Sequence, residues 1–228
     1  MEKKFPWTVI VISVASCLLL FIVEQIIGAP YIVKSAVKIF LFLIVPLRFV
    51  KKGGLLPDKA GFRHPGGDRK KRRISLLLGW LSMSGIVIIY FLFSPFIDGE
   101  AIIDDLVNRV QVTRSVFLFV ALYITFGNSF LEEWYFRGFI FKQLHGMGRR
   151  RWAYIYSASL FSLYHGAIFA LWFHWWVMLL ALFGLFLVGL LFNYLNEGAE
   201  TILNSWIVHV FADAGVMAIG FYLFATLG

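Results

Sequence analysis

The chain has 228 residues, of which 60% are hydrophobic and 18% aromatic, and its formal net charge is +8. The apolar share exceeds that of an average soluble domain, and apolar runs recur along the whole chain, which excludes a soluble fold. The basic residues lie in short segments between these runs, so they indicate loops that face anionic headgroups and not a nucleic-acid-binding surface. We predict one all-helical membrane domain, residues 1–228, embedded in the lipid bilayer.

Seven segments are long and apolar enough to be transmembrane helices. In chain order, their predicted bounds are residues 7–27, 31–50, 74–97, 113–144, 152–173, 175–195 and 201–227. The fourth segment is longer than one span needs, so it is expected to tilt or to project from the bilayer. The prediction is a polytopic protein with about seven transmembrane helices, and an eighth short span stays open.

The loops between these segments predict an orientation. Residues 51–73 contain nine Lys or Arg against two Asp, residues 149–151 are all Arg, and residues 98–105 are acidic. Loops retained in the cytoplasm are enriched in Lys and Arg. We therefore expect the amino terminus and both basic loops in the cytoplasm and the acidic loop outside.

Three charged residues, Glu24, Lys34 and Lys38, lie near the turn between the first two predicted helices. Long charged side chains near a helix end extend their charged groups to the membrane surface. These three are therefore expected to anchor the helices at the interface or to form one surface ion pair.

The fourth predicted helix contains Glu132, Glu133 and Arg137 within an apolar run. An ionised side chain near the bilayer centre costs about 2.5 to 3.5 kcal/mol on insertion scales, so three such residues need a compensating role. Glu133 and Arg137 are four residues apart, which favours an ion pair on one helix face. Glu132 points about 100° away and is free to face another group.

Further ionisable candidates are His165 in the fifth predicted helix and His209 with Asp213 in the seventh. At about 1.5 Å per residue, these residues and Glu132 lie roughly 12 to 20 Å from the cytoplasmic ends of their helices. The matched depth on three helices predicts one polar cavity near the middle of the membrane. The alternative is an inert set of hydrogen bonds between helices.

Three motifs resemble those of a known family. They are E-E-x-x-x-R at residues 132–137, F-x-x-x-H at residues 161–165 and H-x-x-x-D at residues 209–213. Each motif is weak alone, but their order and spacing in apolar helices resemble the CAAX prenyl protease and bacteriocin-processing family, also called the Abi family of intramembrane glutamate proteases. The motifs predict a catalytic helical core at residues 113–215.

The resemblance implies an intramembrane endopeptidase. Its substrate would be a membrane-associated peptide or protein, either prenylated and CAAX-like or a bacterial peptide such as a bacteriocin. A short chain of this kind resembles bacterial or archaeal members, so the expected location is a prokaryotic cell membrane.

The resemblance also implies residue roles. Glu132 and His165 would activate a water for attack on the scissile carbonyl, which is general-base chemistry. Glu133 with Arg137 would hold the helix and tune the charge of the site. These four residues come from two of the three motifs.

The third motif would supply His209 and Asp213 to face the developing oxyanion. The family pattern more often has Asn at the last position. An ionised Asp213 would repel an oxyanion, so it must be protonated, or it must instead orient His209 through a hydrogen bond.

The sequence leaves metal use open. Glu132, His165 and His209 form a set of two histidines and one carboxylate, which suits catalytic zinc with an open position. The sequence has no H-E-x-x-H motif, and a glutamate mechanism needs no metal. The favoured expectation is an enzyme without a cofactor, and zinc is the alternative.

Other classes fit the residues less well or differ in kind. Ser129 lacks the strained turn of a serine nucleophile, one intramembrane Asp cannot form an aspartyl dyad, and the single Cys17 in the first apolar run is not expected to be a nucleophile. Two alternatives stay open: a non-catalytic immunity or scaffold protein of the same fold, and a proton-coupled transporter with the Glu and His residues as its relay.

Overall fold

The structure, a computed structural model, describes residues 7–50, 69–169, 173–199 and 201–228. Within this part of the chain all regular secondary structure is helical, and one isolated bridge joins Ile97 to Phe173. The predicted all-helical class is therefore confirmed. Most of the predicted basic loop, residues 51–68, lies outside the described residues.

The first two helices combine α-helical and π-helical turns. Helix α1 comprises Trp7–Phe21 and the π-helical turn Ile22–Ile26, and helix α2 comprises Tyr31–Ile39, the π-helical turn Phe40–Ile44 and Val45–Phe49. Gly28 lies between them at φ +62°, a left-handed conformation that glycine adopts without the usual steric penalty. The predicted bounds of both helices agree with the structure to within one residue.

Helix α3 comprises Arg69–Phe93, and a 3₁₀ turn, Ser94–Phe96, follows it. A short helix, α4, then comprises Gly99–Asp104 and continues as the π-helical turn Asp105–Arg109. The sequence predicts only an acidic loop at residues 98–105, so this helix is a difference from the prediction. The side chain of Asp98 caps α4 by accepting a hydrogen bond from the backbone N–H of Ala101 at 2.9 Å.

Helix α5 carries the first motif and is built of five consecutive pieces. They are Phe117–Leu122, the π-helical Tyr123–Asn128, Ser129–Glu133, the π-helical Trp134–Phe141 and Lys142–Gly146. The helix begins four residues after the predicted start at residue 113. The remaining helices are α6 (Arg150–Phe169), α7 (Trp175–Asn196) and α8 (Leu203–Thr226).

Four helices of the described residues are long and apolar enough to cross a membrane: Trp7–Ile26, Lys70–Phe96, Trp175–Asn196 and Leu203–Thr226. The segments of α2, α5 and α6 are not among them. Charged residues lie within all three segments, among them Lys38 in α2 and Glu132 in α5. The count of seven or eight spans therefore stays a prediction.

Close backbone contacts hold the helices that flank the first motif. Helix α7 packs along α6, and α8 packs along α3. A Cβ atom on Gly189 would lie 2.9 Å from Cα of Ala158, and one on Gly215 would lie 3.1 Å from the backbone oxygen of Met83. Small residues at such crossings let membrane helices approach closely.

The middle of α5 is enclosed on all sides, because every residue from 131 to 141 is buried. The ring of Tyr135 stacks on that of Phe42 of α2 with 3.8 Å between centroids, and the ring of Phe136 meets that of Phe161 of α6 at 5.3 Å. Helices α2, α6 and α8 thus surround the segment that carries Glu132.

Candidate active site

Glu132 lies at the junction between the α-helical Ser129–Glu133 and the π-helical Trp134–Phe141. Its side chain is buried, as are those of Glu133 and Arg137. π-helical turns inside α-helices are frequent at functional sites because they change the direction of side chains along the helix. The local structure therefore distinguishes the first motif from an ordinary membrane helix.

The two oxygens of the Glu132 carboxylate have different surroundings. Oε2 lies 3.4 Å from Nε2 of His165 on α6 and 3.6 Å from Nε2 of His209 on α8. Both separations are longer than an ordinary direct hydrogen bond. One carboxylate oxygen and two imidazole nitrogens, from three helices, therefore converge on one point.

The other oxygen of Glu132 accepts two hydrogen bonds. Nζ of Lys38 on α2 donates to Oε1 at 2.5 Å, and the side-chain amide of Asn128 donates to the same atom at 3.0 Å. Lys38 also donates to the side-chain oxygen of Asn128. The carboxylate is thus held on one side by a cation and an amide.

His165 is oriented by its own helix. Its Nδ1 lies 2.8 Å from the backbone oxygen of Phe161, one turn earlier. A carbonyl oxygen can only accept a hydrogen bond, so Nδ1 donates to it, and Nε2 is the ring nitrogen that faces Glu132. The F-x-x-x-H spacing places this carbonyl directly below the ring.

His209 is oriented by Glu133. Its Nδ1 lies 3.0 Å from Oε1 of Glu133, whereas its Nε2 lies 3.7 Å from Oδ1 of Asp213. We considered Asp213 as a residue that orients His209 through a hydrogen bond, and this distance is too long for one. The orienting carboxylate belongs to Glu133, in the manner of the carboxylate–histidine pairs that fix imidazoles in active sites.

Glu133 also forms the predicted ion pair with Arg137, with 3.2 Å between Oε1 and Nη1. The guanidinium lies over the aromatic ring of Phe161 at 4.1 Å and over that of Phe192 at 4.9 Å. Cation–π contacts of this kind stabilise a charge where water is excluded. Arg137 therefore lies behind the site, among aromatic rings, and not in it.

The structure places all six predicted site residues within one connected cluster. Two members of the cluster were not predicted, Lys38 and Asn128. Asn128 precedes Glu132 by one helical turn, so its spacing was a usable signal. The expectation for Lys38 was wrong: its side chain does not extend to the membrane surface but is buried against Glu132.

The contacts of Lys34, one turn before Lys38 on α2, agree with the prediction in one respect. Nζ of Lys34 lies 2.6 Å from Oε1 of Glu24, so the predicted ion pair exists, although the Lys34 side chain is buried. Ser129 is engaged elsewhere, because it donates to the backbone oxygen of Thr125 at 2.5 Å and accepts from Trp206 at 3.0 Å. These contacts give Ser129 a structural role.

The residues that converge on Oε2 of Glu132 also fit a zinc ion. One donor atom each of Glu132, His165 and His209 lies within 4.8 Å of the others. Ligand atoms on tetrahedral zinc are about 3.3 to 3.4 Å apart, close to the 3.4 and 3.6 Å measured between Oε2 and the two Nε2 atoms. The arrangement suits either a water or a metal.

Residues 114–215 match a family model described as Rce1-like, type II CAAX prenyl endopeptidase. The comparisons with curated proteins and with solved structures found no match. The resemblance predicted from the three motifs is confirmed, and the matched segment contains all six predicted site residues. With its four apolar helices of spanning length, the chain is an integral membrane protein, and its segment 114–215 is similar to a family of membrane proteases.

Proposed function

We propose that this member of the Rce1-like family hydrolyses a peptide bond of a membrane-associated substrate, with Glu132 and His165 activating the attacking water. One observation carries the proposal: Oε2 of Glu132 lies 3.4 Å from Nε2 of His165, while Oε1 is occupied by Lys38 and Asn128. Two basic atoms thus face one small volume from two different helices.

Water activation follows from the lone pairs of these atoms. A water that donates to Oε2 of Glu132 and to Nε2 of His165 keeps its own lone pair directed at a scissile carbonyl. As the oxygen–carbon bond forms, Glu132 accepts the proton. When the carbon–nitrogen bond then breaks, Glu132 returns the proton to the leaving amine, so the carboxylate is regenerated.

The oxyanion is assigned to His209 and Asp213. Glu133 accepts from Nδ1 of His209, and an imidazolium at this position would donate from Nε2 to the developing charge. Asp213 would act in its protonated form, because an ionised carboxylate would repel the oxyanion. Glu133 and Arg137 hold His209 and the helix behind the reacting atoms.

We further propose that the reaction proceeds without a metal. Zinc, if bound, would be held by Glu132, His165 and His209 and would polarise the water and the scissile carbonyl. The ammonium of Lys38 lies against the same carboxylate, and its positive charge opposes a cation there.

Chelation tests this part of the proposal. Prolonged dialysis of the purified protein against 1,10-phenanthroline should change kcat by less than about twofold, since no step depends on a metal. Dialysis against the non-chelating 1,7-isomer is the control. A loss of cleavage that added zinc restores would instead make Glu132, His165 and His209 a metal site.

The substrate is proposed to be a prenylated CAAX-like protein or a bacterial peptide such as a bacteriocin precursor. The membrane is proposed to be that of a prokaryotic cell, with the amino terminus and the basic loops in the cytoplasm. The catalytic core is proposed to span residues 113–215, which agrees closely with the matched segment.

Cleavage of an internally quenched, farnesylated CAAX peptide in detergent tests the proposal. Wild-type protein should release fluorescence, and Glu132→Gln should not, although Gln still accepts from Lys38 and should fold. Equal rates in the two proteins would exclude Glu132 as the base. Proton-coupled uptake into sealed vesicles by wild-type protein, without cleavage, would indicate the transporter alternative.

A further inference from the structure

Lys38 is a buried cation of the site that lies outside the matched segment, on α2. The residue is 7% exposed, and its Nζ lies 4.9 Å from the centroid of the Tyr164 ring and 5.6 Å from that of Phe42. Lysine is almost never buried to this extent unless it is paired. Its hydrogen-bond partners therefore indicate its role.

Both partners of Lys38 lie on one edge of the Glu132 carboxylate. Nζ donates to Oε1 of Glu132 at 2.5 Å and also to Asn128, whose amide donates to the same Oε1 at 3.0 Å. Rotation of the carboxylate about its last bond would lengthen both contacts. The two donors therefore hold Oε2 on the side where His165 lies, at 3.4 Å from Nε2.

We propose that Lys38 is a positioning residue, which fixes the carboxylate of Glu132 in the orientation that presents Oε2 to the two histidines. Lys38 acts through Oε1 and does not contact the reacting atoms. The inference rests on the proposed function, because it assigns a role in the same reaction. Misplacement of a reacting group by about 1 Å is enough to lower a rate by about 10²-fold.

Lys34 provides a matched control on the same helix. It lies one turn before Lys38, it is also 7% exposed, and it also forms an ion pair, at 2.6 Å with Glu24. Its partner is not part of the site. Both Lys34→Met and Lys38→Met thus remove a buried lysine from α2, but only Lys38→Met removes a contact to Glu132.

The experiment measures kcat and KM for the farnesylated CAAX peptide together with thermal unfolding in detergent. For Lys38→Met, we expect kcat to fall about 10- to 100-fold, as is usual when a residue that orients a reacting group is lost, and KM to stay within about twofold. Lys34→Met should keep the wild-type kcat. Lys38→Arg retains a cationic donor and should recover kcat to within about fivefold of wild type.

The outcomes separate the inference from the proposed function. Full activity of Glu132→Gln would contradict the proposed function itself. If Glu132→Gln is inactive but Lys38→Met keeps the wild-type kcat, only the inference about Lys38 is overturned. Equal losses of kcat in Lys34→Met and Lys38→Met would also overturn only that inference.

Asn128→Ala keeps the inference testable if Lys38→Met does not fold. This variant removes one of the two donors to Oε1 and the acceptor that holds Nζ, but it leaves the charge in place. We expect kcat about 3- to 10-fold below wild type with an unchanged KM, because the carboxylate is held by a single donor. A wild-type kcat in Asn128→Ala would overturn the inference.

Discussion

Glu132 and Glu197 both lie beside a cation and a histidine, but the structure uses their oxygens differently. Glu197 follows the last residue of α7, and both of its oxygens are occupied. Oε1 lies 2.5 Å from Nε of Arg150 and 2.9 Å from Nε2 of His145, and Oε2 accepts from Nη2 of Arg150 and from Tyr154 at 2.9 and 2.8 Å. Such a carboxylate joins helices and has little capacity left for chemistry.

The two oxygens of Glu132 differ: neighbouring donors hold one of them, and the other faces the two histidines. Oε1 is held by Lys38 and Asn128, and Oε2 faces two imidazole nitrogens at distances beyond a direct hydrogen bond. Under the proposed function, the fixed oxygen orients the Glu132 carboxylate and the other oxygen binds the attacking water. The number of charged neighbours alone does not distinguish the two residues.

Among the predictions that follow, the largest loss of kcat is expected when the imidazole of His165, whose Nε2 faces Oε2 of Glu132, is removed. His165→Ala should lower kcat about 10²- to 10⁴-fold, the usual contribution of general acid–base catalysis, because the water loses one of its two acceptors. The rate of cleavage of the farnesylated CAAX peptide measures this loss of kcat. His174→Ala is the control, since His174 is exposed at the start of α7 and belongs to none of the three motifs; equal rates in the two variants would contradict the assignment.

The convergence of the three motifs could be predicted because it depends on local geometry. A spacing of four residues puts Glu133 with Arg137 and Phe161 with His165 on common helix faces. Glu132, His165 and His209 had matched depths, and the structure brings them together.

The contact of Lys38 with Glu132 could not be predicted in the same way. It is separated from Glu132 by 94 residues, and no local spacing relates the two. Hydropathy placed it near a helix end, where lysines usually reach the membrane surface. Only the packing of α2 against α5 turns its side chain inward. The short helix α4 was overlooked for a different reason, since its capping signal at Asp98 lies in a polar segment that hydropathy does not resolve.

A smaller loss is expected when the carboxylate that orients His209 is neutralised. Glu133→Gln keeps the shape of the side chain but removes the negative charge 3.0 Å from Nδ1, so an imidazolium at His209 is less stable. We expect kcat to fall about 10- to 100-fold with KM within about twofold. Glu24→Gln, which neutralises the partner of Lys34, is the control and should keep the wild-type kcat.

A still smaller effect is expected at Asp213, and it tests the assignment of the oxyanion. Asp213→Asn is nearly isosteric and introduces an amide donor at a position where the family pattern more often has Asn. Because the proposed mechanism uses Asp213 as a neutral donor, kcat should stay within about threefold of wild type. Asp213→Ala removes the donor and should be slower than Asp213→Asn. Loss of activity in Asp213→Asn, equal to that in Asp213→Ala, would show that the negative charge is required.

The smallest effect on catalysis is expected at Glu197, the occupied carboxylate of the comparison. Its hydrogen bonds with Arg150, the largest cause, and with Tyr154 and His145 lower the pKa of Glu197 from 4.5 to about 2. A carboxylate whose pKa is lowered on folding stabilises the folded state above its unfolded pKa, and this stabilisation is lost as the pH falls through the folded value. The stabilisation is therefore complete above about pH 5 and disappears towards pH 2.

Glu197→Gln should leave kcat per folded molecule unchanged and lower the stability at pH 7 by about 0.5 to 1 kcal/mol, since Arg150 is largely exposed and solvent screens the pair. Thermal unfolding of both proteins in detergent between pH 7 and pH 3 measures it. The difference between them should shrink as the pH falls, because the wild type loses the charge that the variant never had. A difference that stays constant over this range would mean that Glu197 acts through packing alone, and a lower kcat would mean that the occupied carboxylate also serves the active site.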